Sequence, residues 1–302
     1  VSRRASLLFA ALAVAWGIPY LLIKVAGVEL APSTLVLART ALAAVLLLPL
    51  ALLRGQVGPV LRRWRPVLAY AVVEIVVPWF FLARAEQELP SSTTGLLIAA
   101  VPLVAVLVAL VTGRAERLGG RGWLGLAAGT AGVAALVGLD VRGSDLGAVA
   151  EVGVVVLGYA IGPALLARWL GDVGGLGVMA VSVTMSALLY VPVVLLGPGL
   201  PTALPSTRVL LSVAVLAAVC TAAAFLLLFA LVGELGPVRA LSVVYVNPLV
   251  AILAGVTLLG ERISTWTVLG FALVLAGSFL VTRPARARSA EGVVPAGRTV
   301  TP

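Results

Sequence analysis

Ten runs of about twenty predominantly apolar residues, at approximately 7–26, 33–53, 66–84, 92–112, 119–139, 146–168, 175–196, 209–232, 239–259 and 265–282, limit what this 302-residue chain can fold into. Each has the ~20 residues that an α-helix needs to cross a hydrocarbon core about 30 Å thick. The connections between them are short, so no soluble domain has room to fold. Composition agrees: 62% of the residues are hydrophobic and 11% charged, against roughly 45–50% and 25% in soluble domains. The expected fold is an all-α integral membrane protein with ten transmembrane helices.

Charge gives the orientation. Of the 21 Lys and Arg, Arg39 lies inside a span. Lys24, Arg84, Arg142, Arg208 and Arg262 fall on one side and the other fifteen on the opposite side. Basic residues collect on the cytoplasmic side of membrane proteins, so both termini are expected to be cytoplasmic and the chain to lie in the cell (inner) membrane. The net charge of +9 sits in loops and tails between apolar runs, which makes the lipid bilayer the expected partner and nucleic acid an unexpected one. Arg3-Arg4, an apolar run and Ala11-Leu12-Ala13 resemble a signal peptide. The run continues through Trp16 and Pro19 to Lys24, too long for a signal segment, so it is read as the first span.

The single cysteine, Cys220, and the absence of histidine leave no intrachain disulfide, no usual zinc site and no His-based triad. No metal and no cofactor are expected. An intramembrane enzyme would need clustered acids or a serine with a base, and the spans offer neither. A channel would need charged rings or a carbonyl filter. A membrane scaffold has no use for charges buried in its spans.

The two halves of the chain resemble each other. Pro19 to Lys24 matches Pro163 to Arg168 at an offset of 144 residues. Glu88 and Pro102 fall on Glu234 and Pro248 at 146, and Glu116-Arg117-Leu118, Gly125 and Gly132 fall on Glu261-Arg262-Ile263, Gly270 and Gly277 at 145. Five spans per half is an odd number, so the second half enters the membrane from the opposite side. The halves are then inverted repeats, 1–142 and 143–283, followed by a disordered cytoplasmic tail at 284–302. Secondary transporters built this way hold substrate near mid-membrane, at the repeat interface.

Trp16-Gly17, Lys24, Pro32, Arg39, a proline-centred fourth span, the Gly-Glu-Arg junction of Leu259-Gly260-Glu261-Arg262 and its interrupted counterpart Thr112-Gly113-Arg114-Ala115-Glu116-Arg117 together resemble the EamA family of the drug/metabolite transporter superfamily. The resemblance runs over about 7–282. It implies a ten-helix carrier, often an exporter of amino acids or other small metabolites, with a central cavity lined by spans 1–4 and 6–9 and with spans 5 and 10 peripheral.

Charges inside hydrocarbon are costly and point to function. Glu74 lies nine residues into the third span, about 13 Å deep at 1.5 Å per residue. It is either a protonatable or cation-binding carboxylate that couples transport to protons, or one half of a structural ion pair with Arg39. Arg39 and Glu151 lie at equal depth, about 9 Å by the same rise, so they too could pair; a free Arg39 would instead dock a substrate carboxylate. Lys24 is expected to snorkel to the interface.

Trp16, Tyr20, Tyr159, Tyr245 and Asn247 lie within spans, away from the interfacial belts where Trp and Tyr usually collect. They join Arg39 and Glu74 as candidate substrate contacts; Trp79, i+5 from Glu74 and off its helix face, carries less weight. Pro19, Pro102, Pro163 and Pro248 are candidate hinges. Gly125, Gly129 and Gly132 form a small-residue strip for close helix packing, which could equally serve a homodimer.

Overall fold

The computed structural model describes residues 2–113, 119–139, 145–197 and 199–282, and every regular element among them is helical. In chain order the long helices are α1 (Arg3–Ala26), α2 (Pro32–Leu53), α3 (Trp64–Glu88), α4 (Ser91–Val111), α5 (Gly120–Leu139), α6 (Leu146–Trp169), α7 (Gly175–Leu196), α8 (Thr207–Leu235), α9 (Leu241–Leu259) and α10 (Thr265–Thr282). Eight of them, α1–α4 and α6–α9, are long and apolar enough to cross a membrane. Arg114 and Ala115 of the interrupted motif, the repeat anchors Glu116, Arg117 and Leu118, Arg142 and the 284–302 tail lie outside the described residues.

Proline and its missing N–H shape three of these helices. α1 is broken at Ile18, with Pro19 opening its second segment. α4 is broken at Ala99 and Ala100, whose N–H groups bond back three residues instead of four, and Pro102 stands in the first turn of the segment that follows. In α9 a 3₁₀ turn, Leu241–Tyr245, precedes the α-helix Asn247–Leu259, which carries Pro248 in its first turn. Pro163, by contrast, lies inside an unbroken helix. α3 and α8 carry a different irregularity, a π turn at Val72–Val76 and at Ala218–Ala223. The i→i+5 bonding of such a turn inserts an extra residue into the helix, often at functional sites.

The helices pack in pairs across the molecule: α2 on α7, α3 on α6, α4 on α9, α5 on α10, and α1 on α8. The α5–α10 contact is made by glycine. A methyl group built on Gly125 would come 2.8 Å from the carbonyl oxygen of Gly277, and one on Gly132 would come 2.7 Å from that of Gly270. Gly129 faces the Leu103 side chain of α4. The strip is therefore occupied inside the chain, and it is not the free face that a homodimer would use.

The Gly-Glu-Arg junction has a structural role. Gly260 ends α9 in the left-handed conformation, φ 66°, which costs glycine nothing, and the next N–H, from Glu261, closes onto the carbonyl of Gly255 at 3.1 Å. This turn aims the Glu261 carboxylate at the N-terminus of α4. Oε1 accepts from the Ser91 N–H (2.7 Å) and hydroxyl (2.9 Å); Oε2 accepts from the Ser92 N–H (3.0 Å) and hydroxyl (2.6 Å). Burial pushes the Glu261 carboxyl group upward in pKa, but the four donors outweigh it and hold the group below the usual carboxylate range.

A folded-state pKa below the unfolded one gives stabilisation that is full above the unfolded value, about 4.3, and is lost as pH falls through the folded value. Glu261→Ala is expected to cost about 0.5–2 kcal/mol at pH 7, the usual worth of a helix N-terminal cap. In detergent the variant should melt below wild type at pH 7, and the gap should close at acid pH. Equal melting temperatures at pH 7 would contradict this role.

Candidate functional site

The carboxylate in the middle of α3 comes first. Glu74 stands in the π turn of α3, and that turn is pressed against two glycines of α6. A methyl group on Gly158 would come 2.5 Å from the Val73 carbonyl oxygen and from Pro78 Cγ. One on Gly162 would overlap the Glu74 carboxylate itself, 2.8 Å from its Cδ. The carboxyl group thus lies on bare α6 backbone, and its Oε2 is buried with no hydrogen-bond partner among the described residues.

Neither ion pair expected of Arg39 forms among the described residues. Glu151 instead binds Arg84 at 3.0 Å, and Glu74 keeps its unpaired oxygen. The physical reason lies in the surroundings of Arg39. Only 7% exposed, it extends from α2 so that its Cζ sits 3.6 Å above the ring centroid of Trp79, a cation–π contact. Its Nε–H donates to Thr221 Oγ1 at 3.1 Å. The Thr221 hydroxyl in turn donates to the Leu216 carbonyl at 2.8 Å, five residues back across the π turn of α8. One π turn therefore carries Glu74 and the other carries the acceptor for Arg39.

Tyr20 of α1 and Tyr159 of α6 join this centre. Tyr159 lies within electrostatic range of both Glu74 and Arg39 and in reach of Trp79. Tyr20 is within range of Tyr159 and Arg39, and its ring lies 3.5 Å from a methyl built on Gly95 of α4. Tyr20, Arg39, Glu74 and Tyr159 are thus brought together, with Trp79 and Thr221 added. Trp79 becomes the platform of Arg39 although it is off the Glu74 face.

The remaining candidates form a neighbouring group. Trp16 packs edge-on against Phe225 of α8, with centroids 5.9 Å apart. The adjacent Gly17 touches Val250 and the Asn247 carbonyl of α9, and Asn247 Oδ1 is buried without a hydrogen-bond partner among the described residues. The Tyr245 hydroxyl donates to the Ser278 carbonyl of α10 at 3.5 Å, so it is turned toward α10. The Lys24 Nζ donates to the Leu89 carbonyl at 2.7 Å, at the end of α3.

Two polar residues near this centre, Thr221 and Glu86, were invisible as candidates in the sequence. Thr221 is one more hydroxyl in an apolar span, and only the π turn presents it to Arg39. Glu86 stands beyond the expected end of the third span, but the helix continues to Glu88 and stops at Leu89, whose extended backbone is what a following proline demands. Pro90 was the available signal.

Family comparison agrees with this architecture. The EamA-like transporter family matches residues 3–138 and 151–283. The chain belongs to that family. It is 32% identical over 276 residues, 88% of each chain, to the protein named "Uncharacterized inner membrane transporter YedA" of Escherichia coli strain K12, and equally so to its counterpart in Escherichia coli O157:H7. A solved structure titled "Crystal structure of protein" shares the fold, with a TM-score of 0.66 at 22% identity, covering 92% of this chain and 96% of that one. This member of the EamA-like family is a membrane transporter.

Proposed function

We propose that the chain is a secondary transporter, an exporter of small carboxylate-bearing metabolites such as amino acids, that works by alternating access between two inverted five-helix halves, 1–142 and 143–283, with both termini cytoplasmic. The observation that carries the substrate class is Arg39. It is buried, held by an aromatic ring and one hydroxyl, and it has no carboxylate partner among the described residues. A substrate carboxylate would complete it. Glu74, facing the same centre through Tyr159, is the proton-coupling group. Trp16 and Asn247 extend the substrate site, with Tyr245 at its edge, and Pro19, Pro102 and Pro248 are hinges, each at or beside a helix break. Pro163 fits that role less well in its unbroken helix.

Four observations support the inverted repeat. The family matches the chain in two stretches of similar length. The π turns at Val72–Val76 and Ala218–Ala223 are 146 residues apart, the offset of the Glu88 and Pro102 anchors. Exchanging the halves turns the α3–α6 contact into α8–α1 and leaves α2–α7, α4–α9 and α5–α10 unchanged. The same exchange converts the Gly125–Gly277 contact into Gly270–Gly132, as a two-fold axis through the α5–α10 interface requires.

The test is reconstitution into proteoliposomes loaded with radiolabelled amino acids, sugars, nucleosides and cationic drugs, with counterflow measured for each. Amino acids or other carboxylates should exchange and compete with one another. Exchange of sugars or cationic drugs with none of carboxylates would overturn the substrate class.

A further inference from the structure

We infer that Glu86 is a second proton-binding carboxyl group, at the outer end of a line of buried and part-buried polar groups that runs through Tyr20 and Tyr159 to Glu74; its part in transport rests on the proton-coupled reading above. Glu86 is twelve residues beyond Glu74 on α3, about 18 Å along a helix at 1.5 Å per residue. It is 1% exposed, and neither of its carboxylate oxygens has a hydrogen-bond partner among the described residues. The nearby Thr94 hydroxyl spends its hydrogen on the Pro90 carbonyl at 3.3 Å.

The charges facing Glu86 from each neighbouring element are few. From α1 come the Lys24 ammonium, already bonded to the Leu89 carbonyl, and the Tyr20 phenol. From the α9–α10 junction comes Glu261, whose carboxylate is committed to Ser91 and Ser92 of α4. Farther along the same helices, Glu151 of α6 is paired with Arg84 of α3 itself and Arg39 of α2 is tied to Thr221 and Trp79, so neither is committed to Glu86.

One ammonium therefore faces two carboxylates, and the one with four donors is Glu261. An ionised Glu86 would lie buried with the Thr94 hydroxyl, already bonded to the Pro90 carbonyl, as the one donor in reach among the described residues, an arrangement that proteins avoid. A bound proton makes Glu86, Glu261 and Lys24 neutral as a group.

The route to solution passes Lys24. That side chain also borders an outer pocket lined by Glu29, Ser206 and Arg208, so a swing of Lys24 would connect Glu86 to the outer solution. Inward, Tyr20 lies within electrostatic range of both Glu86 and Tyr159, and Tyr159 within range of Glu74. Glu86 then exchanges protons with the outside while Glu74 serves the substrate site.

The experiment is infrared difference spectroscopy of the full chain in lipid through a pH titration, comparing wild type, Glu86→Gln, Glu74→Gln and Lys24→Met. The probe is the proton alone. A titrating carboxylic C=O band should vanish in Glu86→Gln and persist in Glu74→Gln. Lys24→Met, which keeps the carboxyl group and serves if Glu86→Gln does not fold, should move the midpoint of that band to higher pH, because a cation that favours the ionised form is gone. A Glu86→Gln spectrum that superimposes on wild type, or a Lys24→Met midpoint that does not move, would overturn the assignment. If instead Glu74→Gln leaves every band in place, the coupling role of Glu74 fails while the Glu86 band still stands.

Discussion

Glu74→Gln abolishes accumulation driven by a pH gradient, while counterflow of the same solute survives at a measurable rate. One proton per cycle across one pH unit can sustain about tenfold accumulation, since one unit corresponds to about 1.36 kcal/mol. Glutamine fills nearly the same space beside Gly162 but cannot load or release a proton, so the expected accumulation ratio is one. The reading has a second, independent arm in Gly162→Ala, whose new methyl group would overlap the Glu74 carboxylate and push it out of its seat. Alanine in a helix interior is favoured over glycine by roughly 0.8–1.0 kcal/mol, so a loss of coupling in Gly162→Ala would come from the displaced carboxylate and not from a weakened helix. Both variants should transport downhill and fail to concentrate. Full accumulation by Glu74→Gln would return Glu74 to a structural role.

The sequence held the coarse fold because apolar run length is a local property. Ten runs were visible, and among the described residues eight of them form helices long and apolar enough to cross a membrane. The candidate site was legible where it consisted of a charge in an apolar run, as with Glu74 and Arg39, because hydrocarbon makes such residues conspicuous. Pairing was not legible. Depth along a helix put Arg39 level with Glu151, yet rotation about the helix axis decides partners, and Glu151 turns to Arg84. The π turns were hidden as well: Val72–Val76 contains neither glycine nor proline, and the accommodation for that turn is written on another helix, in Gly158 and Gly162. Glu261 was visible as part of a motif, but its role as a cap depends on the distant Ser91 and Ser92. These are tertiary facts, and a single sequence carries them only as unexplained glycines and serines.

Arg39 offers the sharpest test of substrate class. Arg39→Lys keeps the positive charge but loses the planar guanidinium that lies over Trp79 while its Nε–H reaches Thr221; a lysine ammonium is a point charge on a flexible stem. Hydrogen bonds involving a charged group are worth about 1.5–3 kcal/mol, so affinity for a carboxylate solute should fall by roughly tenfold to a hundredfold in Arg39→Lys. Arg39→Met, which keeps bulk and removes the charge, should fall further. Thr221→Val tests positioning separately. It preserves the cation and the Trp79 contact but removes the acceptor, so its loss should be smaller than that of Arg39→Met and should reach carboxylate solutes more than uncharged analogues. Competition of counterflow by carboxylate solutes and their amides measures all three. If Arg39 serves only to hold α2 against α8, Arg39→Met would lower thermal stability and depress carboxylate and amide equally. If Arg39 binds substrate, the wild-type preference for carboxylate over amide collapses in Arg39→Met, because the group that distinguishes the two solutes is the cation that has been removed.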